Sequence, residues 1–80
     1  MKQVPNYIAC AAQILTADEL GIQVGCVTLA KKVLETKSLP PTTAIGTFSK
    51  AARDAVEIVM LKGLGAKADS IAKRIIEDNF

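Results

Sequence analysis

Thr16-Ala17-Asp18-Glu19-Leu20-Gly21-Ile22-Gln23-Val24-Gly25-Cys26-Val27-Thr28-Leu29-Ala30 is the stretch on which the fold turns. Thr16 followed three residues later by Glu19 spells a capping box, in which the hydroxyl accepts from the Glu19 amide and the carboxylate reaches back. Asp18 and Glu19 also stand where a helix dipole favours negative charge. A short helix over Ala17–Leu20 is therefore expected, stopped by Gly21 in a left-handed cap. The next helix starts at Gln23-Val24-Gly25-Cys26 and runs to about Thr36, with Val27, Ala30 and Leu34 on one face and Leu29 and Val33 beside them. Gly21 and Gly25 also have the spacing of a close helix contact. Inside a soluble helix each would cost about 1 kcal/mol against alanine, which argues for a turn.

Upstream, Pro5-Asn6 opens a first helix, and Ile8, Ala11, Ala12 and Leu15 recur at helical spacing, so Tyr7–Leu15 reads as amphipathic. Downstream, Lys37-Ser38-Leu39-Pro40-Pro41 ends the preceding helix, because proline cannot continue it and pushes its predecessor extended. Thr42–Phe48 is rich in β-branched residues around Gly46 and reads as a short two-stranded ribbon, with an irregular loop as the alternative. Ser49 then caps a helix from Lys50 to Lys62, with Ala52, Ala55, Val56, Val59 and Met60 as its apolar face. Gly63-Leu64-Gly65 ends it, and the last helix covers Lys67–Asp78 with Ala68, Ile71, Ala72, Ile75 and Ile76 inward. The expected fold is one mainly α domain over residues 1–80. It is a small bundle of about four to five helices that contains a helix-turn-helix, with the ribbon as a short β wing.

Composition sets the scale of the core. The chain has 80 residues and half are apolar, yet it holds only one Tyr and two Phe, so Ala, Val, Ile and Leu must fill the interior. A chain this short buries only about 60% of its unfolded surface. Apolar surface left over favours a homodimer or another protein partner. The net charge of +2 is too small to announce nucleic acid by itself. Its distribution says more: residues 31–53 hold Lys31, Lys32, Lys37, Lys50 and Arg53 against Glu35, a local net of +4, between flanks of −1 each.

Several function classes fall away. Cys10 and Cys26 lie in Ala/Val/Ile-rich runs that read as helix and are expected as buried free thiols. Without histidine they cannot close a zinc site, and one pair is no disulfide framework. No run approaches a membrane span, and Pro5, Asn6 and Gln13 break up the start, so no signal peptide is expected and the compartment is the cytoplasm. Gly63-Leu64-Gly65-Ala66-Lys67-Ala68 spells a dinucleotide-binding pattern, but a helix precedes it where that site needs a strand. Glu77 and Asp78 are neighbours at a helix end and make no positioned acid–base pair. With no histidine there is no plausible base for a nucleophile. The reading is a non-enzyme with no cofactor, metal or small-molecule ligand.

What remains is binding. A helix-turn-helix needs a small residue where the second helix crosses, a glycine at the turn, and apolar residues flanking that turn. Ala17, Gly21, Leu20, Ile22 and Val27 stand in those places. The order then continues with Leu39-Pro40-Pro41, Gly46, Phe48-Ser49, Val56–Leu61, Leu64-Gly65 and Ser70-Ile71-Ala72. From Ile14 to Ile76 this resembles the winged-helix DNA-binding domain of the MerR family and the related excisionase-type folds. It departs from that pattern where Ala30-Lys31-Lys32 follows Thr28-Leu29 in place of Arg-Tyr-Tyr, and where Thr47 precedes the wing aromatic in place of Arg. The resemblance implies duplex DNA as partner and a role in transcription regulation or excision. On that reading Lys31, Lys32, Lys37, Lys50 and Arg53 meet phosphates, while Gln23 and Thr28 face base edges. The alternative is a helical protein-interaction module, homodimeric or with another partner. One continuous basic face would favour DNA, and scattered lysines around an exposed apolar patch would favour a protein.

Overall fold

A computed structural model describes residues 5–79 and folds them into helices α1 (Asn6–Glu19), α2 (Val27–Thr36), α3 (Thr42–Leu61) and α4 (Gly65–Asn79), with no strand among the described residues. Proline opens two of these helices and glycine closes the same two. Pro5 (φ −56, ψ 146) and Pro41 (φ −54, ψ 145) stand extended just before α1 and α3. At the other ends the amides of Gly21 and Ile22 donate to Asp18 and Ala17, and those of Gly63 and Leu64 donate to Met60 and Val59, all at 3.0 Å. This paired bonding is the Schellman cap, and it requires the positive φ of 80 at Gly21 and 70 at Gly63.

Three local expectations are corrected. Thr16 caps nothing: α1 runs unbroken through it, and its hydroxyl donates to the Ala12 carbonyl at 2.6 Å from a buried position. Ala11, Ala12, Ile14 and Ala17 are buried on either side of it, so packing carries the helix past the capping signal. The following helix does not begin at Gln23. Leu20–Cys26 is irregular, and α2 starts at Val27 behind a left-handed Cys26 (φ 63). The ribbon over Thr42–Phe48 is the opening of α3, and Ser49 lies inside that helix. Phe48, Ala51, Ala52 and Ala55 fall on one helical face, and their burial overrides the β-branched preference of Thr42, Thr43, Ile45 and Thr47. Phe48, read as the end of a wing, is the largest fully buried side chain.

Helix α1 lies at the centre and packs against α2, α3 and α4; α3 also touches α4. The larger core cluster joins Ile8, Ala11 and Ile14 of α1 to Ala30, Val33 and Leu34 of α2 and to Phe48, Ala51 and Ala52 of α3. A smaller cluster sits at the two glycine caps, where Ala17 and Ile22 meet Ala55 and Val59, with Leu64 and Ala68 against them. Alanine at these crossings lets the helices approach closely. The inward residues expected for α4 are only half-buried, and none of that helix is fully buried. Val56 and Met60, expected on the inner face of α3, are exposed.

Candidate functional site

Gly21 does turn the chain, and behind it α2 presents Thr28, Lys31, Lys32 and Glu35 to solvent opposite its buried Ala30, Val33 and Leu34. The connection that leads there, Leu20–Cys26, is longer than the roughly three- to four-residue turn of a helix-turn-helix. Gln23 lies in this connection, exposed, on the rim of a groove shared with Cys26, Lys50, Asp54 and Ile58. Lys50 is thus brought beside Gln23, and the remaining proposed contact residues do not line that groove. Lys31 opens on a different groove, among Asp18, Glu19, Arg74 and Asp78. Lys32 borders a third, beside Leu39 and Pro40. Lys37 is the left-handed residue after α2 (φ 52); its ammonium donates to the Leu34 carbonyl at 3.2 Å, and its own carbonyl accepts from Tyr7. Arg53 is exposed on α3.

The local excess of positive charge is diluted by the fold. Residues four apart on a helix are surface neighbours, and Lys31, Lys50 and Arg53 each have a carboxylate at that spacing: Glu35, Asp54 and Glu57. Because α3 runs on to Leu61, it brings the acidic start of the next segment onto the same helix as Lys50 and Arg53. Glu19 and Arg74 form an ion pair between α1 and α4, beside Lys31. Of the seven proposed DNA contacts, Gln23 and Lys50 share one groove, Lys31 and Lys32 border two others, and acids line the grooves of Lys50 and Lys31.

The apolar surface is more continuous. Val56, Met60 and Leu61 are exposed along the last turns of α3, Met60 at 65% and Leu61 at 80%. Val56 and Met60 border a groove between α1, α3 and α4 whose walls include Gln13, Thr16, Val59, Ala68 and Ala72, and Leu61 lies outside it. Met60 lays its sulfur over Gly65, where an added Cβ would come within 3.2 Å of it. A second apolar edge, Leu39 and Ile45, borders a groove with Tyr7, Cys10 and Phe48. Sequence reading missed the first surface because Val56 and Met60 were assigned inward. The signal was an apolar arc wider than one neighbouring helix can cover.

Cys10 and Cys26 are free and half-buried, each against the larger cluster, and they open on separate grooves. Burial pushes the Cys10 thiol above its usual value. Among the described residues no group of three or more Cys, Asp and Glu is placed to hold a metal, and every buried side-chain nitrogen or oxygen has a hydrogen-bond partner. No described helix is long and apolar enough to cross a membrane. Compared with known proteins, the chain matches no family model, no curated protein and no solved structure.

Proposed function

We propose that this chain is a non-catalytic helical module that works by binding another protein chain. The observation that carries this reading is the exposure of Val56, Met60 and Leu61 at the end of α3, the first two on the wall of a largely apolar groove. Large apolar side chains clustered on a surface mark association sites, whereas scattered ones need no explanation. The test is the mass of the full chain by light scattering over a wide concentration range. Mass rises with concentration, and a Met60→Lys/Leu61→Lys double variant stays monomeric with an unchanged melting temperature at low concentration, since neither side chain is in the core. A wild-type mass that never exceeds the monomer removes self-association.

Duplex DNA is the second reading. It is supported by Thr28, Lys31 and Lys32 facing outward on α2 behind Gly21, and by the resemblance to MerR-type and excisionase-like domains. Each phosphate neutralised steepens the fall of affinity by about 0.9 log units per log unit of salt. Salt-sensitive retention on duplex DNA that a Lys31→Ala/Lys32→Ala variant loses would put this reading first. Retention that is absent, or unaffected by that variant, leaves the protein-binding module.

A further inference from the structure

The hold on α4 differs from that on the other helices. α1, α2 and α3 each place fully buried residues in the core, and α4 places none. Its inner side, Ala68, Ile71, Ala72, Ile75 and Ile76, is half-buried throughout. Ile75 touches the larger cluster and Ala68 the smaller. Glu19 and Arg74 tie α4 to the end of α1, but both side chains stay largely in water. A pair of that kind orients a helix more than it anchors it. Because Ile75 and Ala68 pack on those apolar clusters, a detached α4 would leave apolar surface on both sides of the joint.

The joint is Lys62-Gly63-Leu64. A Cβ at Gly63 would meet no atom within 4 Å, so the turn is defended by backbone conformation and the cap bonds. Just before it stand the exposed Met60 and Leu61. In a straightened joint Leu61, Leu64, Ala68, Ile71 and Ile75 follow one another at steps of three and four residues. That spacing is the seam of a helix that packs on another helix.

We propose that the partner is a second copy of this chain, bound by exchange of α4. The joint at Gly63 opens, α3 and α4 run on as one helix, and each α4 occupies the seat beside the other copy's α1. This rests on the protein-binding reading and adds the partner and the route. The seat already exists within one chain, so exchange reuses its contacts. It adds the crossing of two straightened joints, where Met60 and Leu61 of both copies gain cover.

Two matched substitutions test it. Gly63 and Gly21 cap their helices in the same way, at φ 70 and 80, and an added Cβ meets nothing within 4 Å at either. Gly63→Ala and Gly21→Ala therefore carry a similar backbone penalty, but only Gly63→Ala also favours a straight α3–α4. That shifts the open-to-closed ratio by roughly thirtyfold per chain. α1 cannot be exchanged in this way because all three other helices pack on it. Light scattering after size exclusion should show a Gly63→Ala dimer at concentrations where wild type and Gly21→Ala are monomers. Glu19→Arg and Arg74→Glu supply a second readout. Each alone sets like charges across the α1–α4 seat, and exchange between the two variants restores opposite charges at both seats. The two refolded together should give a mixed dimer that neither gives alone and that salt weakens. Equal dimerisation by Gly21→Ala, or no enrichment of the mixed dimer while wild type still associates, overturns exchange and leaves the broader reading. Monomers throughout, Gly63→Ala included, overturn exchange and remove self-association.

Discussion

The phenol hydroxyl of Tyr7 donates to the main-chain carbonyl of Lys37 at 3.0 Å, closing a span of 30 residues between the first turn of α1 and the residue that ends α2. Lys37 holds a left-handed backbone there, and its amide is bonded back to Val33 at 2.8 Å. Tyr7→Phe keeps the half-buried ring against the core and removes only the bond. It should cost about 0.5–1 kcal/mol, the lower part of the usual range, because the freed carbonyl returns to water. The urea midpoint of the purified chain measures this. A loss above about 2 kcal/mol would mean that the bond organises more than this one contact.

Thr16 offers a test with opposite signs. At a helix start, Thr16→Asp is neutral or favourable, since Asp caps at least as well as Thr. In the middle of α1, where Thr16 is 2% exposed, the same change buries a carboxylate in a groove shared with Ala55, Val59 and Asp69. It should destabilise the chain by roughly 3 kcal/mol or more. Thr16→Val should stay within about 1 kcal/mol of wild type, because the Ala12 carbonyl keeps its helical partner. Thermal melts of the two variants separate these outcomes.

Phe48→Ala tests the replacement of a wing by a helix. A wing aromatic at the surface would tolerate the change. Phe48 is instead among the most buried side chains, and truncation should cost about 3–5 kcal/mol. That is a large part of the roughly 5–15 kcal/mol that stabilises a typical domain. Circular dichroism should show the variant mostly unfolded near its wild-type melting range.

Cys10 gives the fold a dependence on alkaline pH. Burial raises the pKa of its thiol in the folded chain. The folded state therefore holds its proton where the unfolded state has released it. The contribution of Cys10 to stability is complete below the unfolded pKa and is lost as pH rises through the folded one. Stability should decline above about pH 9, and Cys10→Ala should flatten that decline. Slow alkylation of Cys10 at pH 8 that becomes fast in denaturant would report the same burial.

Much of this architecture could be read before any coordinates. Pro5, Gly21, Pro40-Pro41 and Gly63 punctuate the chain, because proline cannot continue a helix and glycine alone takes a positive φ without strain. Of the face expected for α2, Ala30 and Leu34 are buried and Val27 is half-buried, while Val33, expected beside that face, is buried with them. The errors share one cause, local chemistry outweighed by packing. Thr16 and Glu19 spell a cap, but burial of Ala12 and Ala17 runs α1 through them. Thr42, Thr43, Ile45 and Thr47 favour strand, but Phe48 must reach the core. For the candidate site, the exposure of Thr28, Lys31 and Lys32 followed from helical period. Asp54 and Glu57 beside Lys50 and Arg53 follow from the same period, whereas the pairing of Glu19 with Arg74 beside Lys31 depends on how α4 packs against α1, which is not a local property.

The dimensions of the chain, 32 × 29 × 18 Å across its principal axes, have a bearing on which sequences this fold tolerates. At about 10–12 Å per helix the thinnest direction admits little more than two layers, so α1 alone is hemmed in on several sides. Ala11, Ala12 and Ala17 act there as spacers that set the distance between neighbours. Enlarging any of them to Leu must wedge apart elements that have nowhere to retreat, whereas Ile71 or Ile76, at the rim, accepts swaps of size with little disturbance. A library of single substitutions selected for folding should be depleted first along that alanine spine.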